Sequence, residues 1–298
     1  MGFLGDIEAV MLLSISHITV YRYSQPVRLG AHRLMVRPLE GHDVQIRSST
    51  LRIAPAYRLR WIQDIFGNSI ALVDFLEPAS EMRVESAVTV EQYNNNPFDF
   101  VVDPYATELP FQYLPDDQVD VAPYLHRMYP GEDTAIRNWV RPFLGINGRA
   151  RTMEFLTALN KSVPMSFNYR RREEPGVQSP GETLQRRSGS CRDFALLLIE
   201  TARAMGLAAR FVSGYLCQAA DGVHEAALGA THAWAEIYLP GAGWKGFDPT
   251  CGILAADSHV RVAVTRLPAQ AVPVSGIYDG TMAYYRGLQV LVEARVIG

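Results

Sequence analysis

One stretch limits the possible fold more than any other: Cys191-Arg192-Asp193-Phe194-Ala195-Leu196-Leu197-Leu198-Ile199, which runs on to Met205. Ser190 suits an N-cap and Gly206 a stop at C′, so the segment predicts a helix between them. Its middle is apolar on every side, so other elements must cover it. The residues in front, Arg186-Arg187-Ser188-Gly189-Ser190, are polar. A thiol therefore stands at the first turn of a buried helix. There the positive end of the helix dipole favours thiolate over thiol.

The chain has 298 residues, enough to build two cores. It is 48% hydrophobic and 20% charged, with net charge −3. That balance offers nothing to nucleic acid or to a membrane surface, and neither is expected as a partner. The three cysteines, Cys191, Cys217 and Cys251, are too few and too odd in number for a disulfide framework. They fit a reducing compartment, and the N-terminal run Ala9 to Leu13 lacks the form of a signal peptide. A cytoplasmic location is the expectation.

From Leu13 to Tyr93 the pattern is strand after strand. Thr19 to Tyr23, Leu34 to Val36, Gln45 to Ile53, Tyr57 to Ile62, Ser69 to Phe75 and Val84 to Val90 are separated by turn signals such as Phe66-Gly67-Asn68. This reads as a β-sandwich-like domain over 13–93, preceded by an extension at 1–12. Six prolines between Pro97 and Pro130 read as a linker, 94–131, that wraps rather than packs. Residues 132–298 then give helices (Thr134 to Leu144, Thr152 to Leu159, the Cys191 helix) followed by strands. That order predicts an α+β domain with an antiparallel sheet.

A thiolate that attacks a carbonyl needs a base to move its proton. Of seven histidines, His232 opens a strand, His232-Ala233-Trp234-Ala235-Glu236-Ile237-Tyr238, on a face shared with Trp234 and Glu236. His259 heads another apolar run and is assigned no role. The tight connection Leu239-Pro240-Gly241-Ala242-Gly243 makes the next strand, ending Phe247-Asp248-Pro249, a hairpin neighbour. Asp248 then falls near His232 and can orient its ring. Cys191, His232 and Asp248 are thus the candidate nucleophile, base and orienting acid. Trp234 and Tyr169 are candidates to line a substrate cleft. No paired metal-ligand spacing is present, so neither a metal nor a cofactor is expected.

Four blocks carry a family resemblance: Gly189 to Phe194, Ala208 to Leu216, His232 to Glu236, and Gly243 to Thr250. They resemble, in order, the core blocks of bacterial transglutaminase-like proteins, candidate cysteine proteases of the papain-like superfamily. Ile18-Thr19-Val20-Tyr21-Arg22-Tyr23 resembles that family's β-rich N-terminal domain. At Thr265-Arg266-Leu267-Pro268 the chain departs from the Gly-Arg-Asp-Tyr usual there. The resemblance implies a papain-like, transglutaminase-core fold, a Cys191–His232–Asp248 triad, and acyl transfer from a protein or peptide substrate. Water as acceptor would make a protease or amidase, and an amine would make a transglutaminase. A catalytically inactive binding or assembly module is the alternative of another class.

The first ten residues precede all strand patterning. Deleting them is expected to leave the melting temperature nearly unchanged. A large fall in a thermal scan would show that they are docked.

Overall fold

The computed structural model describes residues 10–93, 96–172, 176–217 and 231–297. Five strands come first: β1 (Met11–Leu34), β2 (Val44–Ala54), β3 (Tyr57–Gln63), β4 (Ser69–Phe75) and β5 (Ala79–Gln92). The two runs expected around Thr19 and Leu34 are parts of one 24-residue strand. Its pairing shifts between Arg22 and Val27, on either side of Pro26. The first part pairs β5, which pairs β2; the second part pairs β4, which pairs β3. One strand thereby carries both sets of pairings, in the order β2-β5-β1-β4-β3, and the expected β-rich domain is formed.

The segment expected to be a wrapping linker packs instead. It contains β6 (Glu108–Leu109) and the helix α1 (Pro115–Leu125). The Tyr113 hydroxyl donates to the Tyr238 carbonyl at 2.9 Å and accepts from the Ala208 amide at 2.9 Å. The fully buried Arg203 donates to the Tyr124 carbonyl, and the fully buried Glu200 accepts from the Arg127 side chain and the Met128 and Tyr129 amides. Proline spacing hid these bonds because their partners lie between 71 and 125 residues further along the chain.

Next come α2 (Asp133–Val140), β7 (Ala150–Arg151), α3 (Thr152–Ser166), β8 (Asn168–Tyr169), α4 (Pro180–Arg186), β9 (Ser188–Gly189) and α5 (Cys191–Ala204). The strands β10 (Ala209–Leu216), β11 (His232–Leu239), β12 (Gly243–Asp248), β13 (Ile253–Leu254) and β14 (His259–Thr265) make an antiparallel sheet in the order β13-β12-β11-β10-β14. Helix α5 lies against β11 and β10. Ala195, Leu198, Ile199 and Ala202 of α5 meet Ala233, Ala235, Ile237 and Phe211 in one buried cluster. Gly206, at φ +81°, follows the helix and its cap, as the sequence implied.

The last strands leave this domain. β15 (Val274–Asp279) pairs the second part of β1, and β16 (Tyr285–Val296) pairs the first. The division at 132–298 therefore needs correction: residues 274–296 complete the N-terminal sheets. Leu13, Ile15, Val88, Val90 and Val292 pack there against Tyr215, Val260 and Val262 of the α+β domain. Asn68, fully buried, ties the two domains by donating to the Val264 carbonyl and accepting from the Val264 amide, each at 2.8 Å.

Val292→Ala removes two buried methyls at that junction and is expected to cost about 1–3 kcal/mol. Urea denaturation should show a lower midpoint. An unchanged midpoint would mean that β16 contributes nothing to stability.

Candidate active site

The sulfur-bearing end of α5 is fixed from below by Asp193. Its carboxylate is fully buried and accepts from the Ser190 amide (2.8 Å), the Ser190 hydroxyl (2.9 Å), the Gln178 amide (2.7 Å) and the Arg172 guanidinium (2.9 Å). A Cβ on Gly189 would come within 2.9 Å of the Asp193 side chain, so the tight entry into α5 requires glycine. β8 pairs in parallel with β9, which sets Tyr169 opposite Gly189. From there the Tyr169 phenol is near enough to Cys191 for the thiol to raise its pKa.

The hairpin β11–β12 brings the other two candidates together. Ala235 pairs Phe247, so Asp248 falls at the end of the sheet where β11 begins with His232. Nε2 of His232 lies 2.8 Å from Asp248 Oδ2, both residues being buried. That bond leaves Nδ1 for Cys191, whose thiol is near enough to help raise the His232 pKa. On the neighbouring strand, Gly214 is opposite His232. A Cβ there would stand 2.1 Å from the Val260 carbonyl and 2.8 Å from the Trp234 ring, so this close approach too requires glycine.

The charges follow from burial and pairing. Burial alone would drive the His232 pKa down. The Asp248 carboxylate outweighs it, the Cys191 contact adds to the effect, and the value is pushed up to about 10. Burial likewise disfavours charge on Asp248, but His232 and then His259 hold it well below the usual carboxylate range. Tyr169 is raised by burial and then by the nearby Cys191, so it keeps its proton at neutral pH.

Asp248 has a second imidazole partner that sequence reasoning left without a role. His259 Nε2 lies 3.1 Å from Asp248 Oδ2. The Ala256 amide donates to His259 Nδ1, so the proton on Nε2 is the one shared with Asp248. The other carboxylate oxygen accepts from the Thr250 and Cys251 amides. His259, like His232, heads an apolar strand, and that shared position was the available signal. His232, Asp248 and His259 are the group among the described residues that could hold a metal ion. Their mutual hydrogen bonds account for the clustering without one.

Trp234 does not line a cleft. It is 1% exposed, stacked on His232 at 6.1 Å and edge-on to His259 at 5.1 Å. Val212, Val264, Leu39 and Phe66 surround it. The alternation that put it on the face of His232 was right, but the N-terminal domain covers that face. Trp234 thus supports the ring rather than a substrate.

Asp193→Ala would leave the buried Arg172 contact and two amides without their acceptor. The expected loss is about 2–4 kcal/mol in chemical denaturation. A loss below about 0.5 kcal/mol would contradict its anchoring role.

Comparison with known proteins agrees with this architecture. Residues 13–91 match the bacterial transglutaminase-like N-terminal region, and residues 144–249 match the transglutaminase-like superfamily. An uncharacterized protein of Mycobacterium leprae is 27% identical over 293 residues, covering 94% of this chain and 97% of its own. One from Mycobacterium tuberculosis is 29% identical over 282 residues, covering 88% and 86%. A proposed cysteine protease from Cytophaga hutchinsonii has the same fold, with TM-score 0.70 and 18% identity over 96% of this chain and 91% of that one. With its β-rich N-terminal region and its helix-on-sheet core, the chain belongs to the transglutaminase-like proteins.

Proposed function

We propose that the protein is a thiol-dependent acyl-transfer enzyme that breaks an amide or peptide bond of a protein or peptide substrate. One observation carries this reading: the buried His232, paired with Asp248 at 2.8 Å and raised in pKa by that carboxylate, stands beside Cys191 at the start of α5. An imidazolium beside a thiol is the product of the proton transfer that makes the nucleophile.

The steps follow from these positions. The Cys191 thiolate adds to the amide carbonyl, forming an S–C bond and an oxyanion. First-turn amides have no intrahelical acceptor, so the Cys191 N–H can donate to that oxyanion, as can the protonated Tyr169 hydroxyl. Collapse breaks the C–N bond, and His232 gives its proton to the departing amine. A thioester remains on Cys191. Water, losing a proton to His232, then attacks the thioester and releases a carboxylate. Asp248 stabilises the imidazolium throughout, and His259 fixes Asp248 from the other side.

The remaining thiols suit a bystander role. Burial pushes Cys217 up to about 12 and raises Cys251 further, the latter assisted by Asp248. A thiol probe at neutral pH should therefore label Cys191 first. Equal labelling of all three would remove the special status of Cys191. Incubation with a peptide library, with and without a primary amine, followed by product masses, tests the reaction itself. Cleaved products alone indicate hydrolysis, amine adducts indicate amine transfer, and no product contradicts the proposal.

Asp248→Asn removes the charge that keeps His232 protonated. The imidazolium then loses its proton at lower pH, so the thiolate forms only at higher pH. The midpoint of Cys191 alkylation against pH should move up, and turnover should fall on the order of 10–10³. An unchanged midpoint in a folded variant would exclude Asp248 from the site. Cys191→Ala should abolish turnover, since no other group can form the thioester.

A further inference from the structure

β2 and β3 follow one another in the chain with only Pro55 and Ala56 between them, yet they do not pair. β2 hydrogen-bonds β5 and β3 hydrogen-bonds β4, so the two stand at opposite ends of the order β2-β5-β1-β4-β3. A slit of about 510 Å³ opens where they diverge. Ser49 and Leu51 of β2 line it, with Trp61, Ile62 and Gln63 of β3 and with Arg37.

Alternation along each strand decides what its wall presents. Tyr57 and Leu59 of β3 and Leu51 and Ile53 of β2 pack against one buried cluster of the β-rich domain. Trp61 is on the same face as Tyr57 and Leu59, but it is 47% exposed. The core face is therefore uncovered at this end. β2 contributes alternate residues, Ser49 and Leu51, and so turns its face to the slit. β3 contributes three consecutive residues, whose side chains point to opposite sides. What β3 turns to the slit is its edge, whose backbone groups no strand takes up among the described residues. The edge of β2 is blunted near its start, where Glu40 accepts the Ile46 amide at 3.0 Å. An open edge beside an uncovered aromatic ring is a template for a further strand. Charge narrows what that strand can be. From Val44 to Gln63 the sequence holds four arginines and no acidic residue. Arg58 and Arg60, both exposed, alternate with Leu59 and Trp61 and so lie on the other face of β3. Neither makes an ion pair among the described residues, although Asp74 stands opposite Arg58 in the ladder. A strand along this edge would meet apolar surface on one face and guanidinium groups on the other.

We propose that β3 takes up an extended segment of a partner protein in which apolar and acidic residues alternate. The backbone of that segment pairs with the β3 edge, its apolar side chains cover Trp61 and Leu51, and its carboxylates meet Arg58 and Arg60. The site lies in the β-rich domain and is independent of the reading of Cys191 as nucleophile.

The probe is a capped, fluorescent octapeptide of alternating glutamate and valine, titrated with the full chain and followed by anisotropy. It should bind about 3–10-fold more tightly than the same peptide with lysine in place of glutamate, and Arg58→Gln/Arg60→Gln should remove that difference. Two further peptides carry N-methyl groups, one on its valines and one on its glutamates. A strand turns only one of these sets of amides toward β3, so one peptide should lose about tenfold in affinity while the other keeps it. Hydrogen exchange of the unmethylated complex should slow at amides between Tyr57 and Gln63. No binding, equal binding of the glutamate and lysine peptides, or equal binding of the two methylated peptides would overturn the proposal. A single-stranded oligonucleotide of the same charge tests for a plain polyanion surface. Failure to displace the peptide supports strand addition, and displacement at equal concentration overturns it.

Discussion

Asp193 is shut off from water at the first turn of α5, and its two oxygens collect donors from three separate pieces of chain. A buried carboxylate costs several kcal/mol in lost hydration unless charge and hydrogen bonds replace it. Here Arg172 supplies the charge, while Ser190 and Gln178 supply the rest. Because every donor is needed to offset that cost, none can leave cheaply. The helix start, the strand β8 leading to Arg172, and the segment at Gln178 are therefore held in one arrangement. The position of the sulfur and the course of the chain at Arg172 and Gln178 thus come from the same carboxylate.

A second buried carboxylate organises the opposite wall. Asp248 accepts hydrogen bonds from two imidazoles and two backbone amides. His232 faces the sulfur, while His259 is braced by the Ala256 amide. This gives the two rings different freedoms. One keeps a ring nitrogen toward Cys191; the other is held at both nitrogens. Trp234 packs against both, and the β domain closes over Trp234 through Leu39 and Phe66. The β-rich domain therefore contributes no reacting group among the described residues, yet it supplies the roof of the histidine pocket.

What could be read in the sequence was whatever is encoded locally. The Cys191 helix shows through its cap, its apolar run and its glycine stop, and the β11–β12 hairpin through alternation and a tight turn. Those two features already align Cys191, His232 and Asp248. His259 was missed because its meaning depends on β14 lying beside β10, a pairing between strands separated by the whole hairpin. The proline-rich segment was misjudged for a related reason: Glu200 and Arg203 sit on a helix that reads as plain core, and their partners lie far away in sequence. Trp234 showed the correct face but not what covers it, since period-2 patterning reports a side of a sheet and not its neighbour.

The pairing of β1 with β16 places Leu13 beside Val296, so the first and last strands of the described chain lie side by side. During synthesis β1 emerges first and waits with one edge open while the whole α+β domain is made. Such distant pairing is slow to form and leaves an unpaired strand edge exposed in the meantime. The roof over Trp234 belongs to the sheets that these late strands complete. A ribosome-bound chain lacking β15 and β16 would hold the cysteine, both histidines and both carboxylates, but under an unfinished cover. Closure of the histidine pocket would then wait until the polypeptide has met its own beginning.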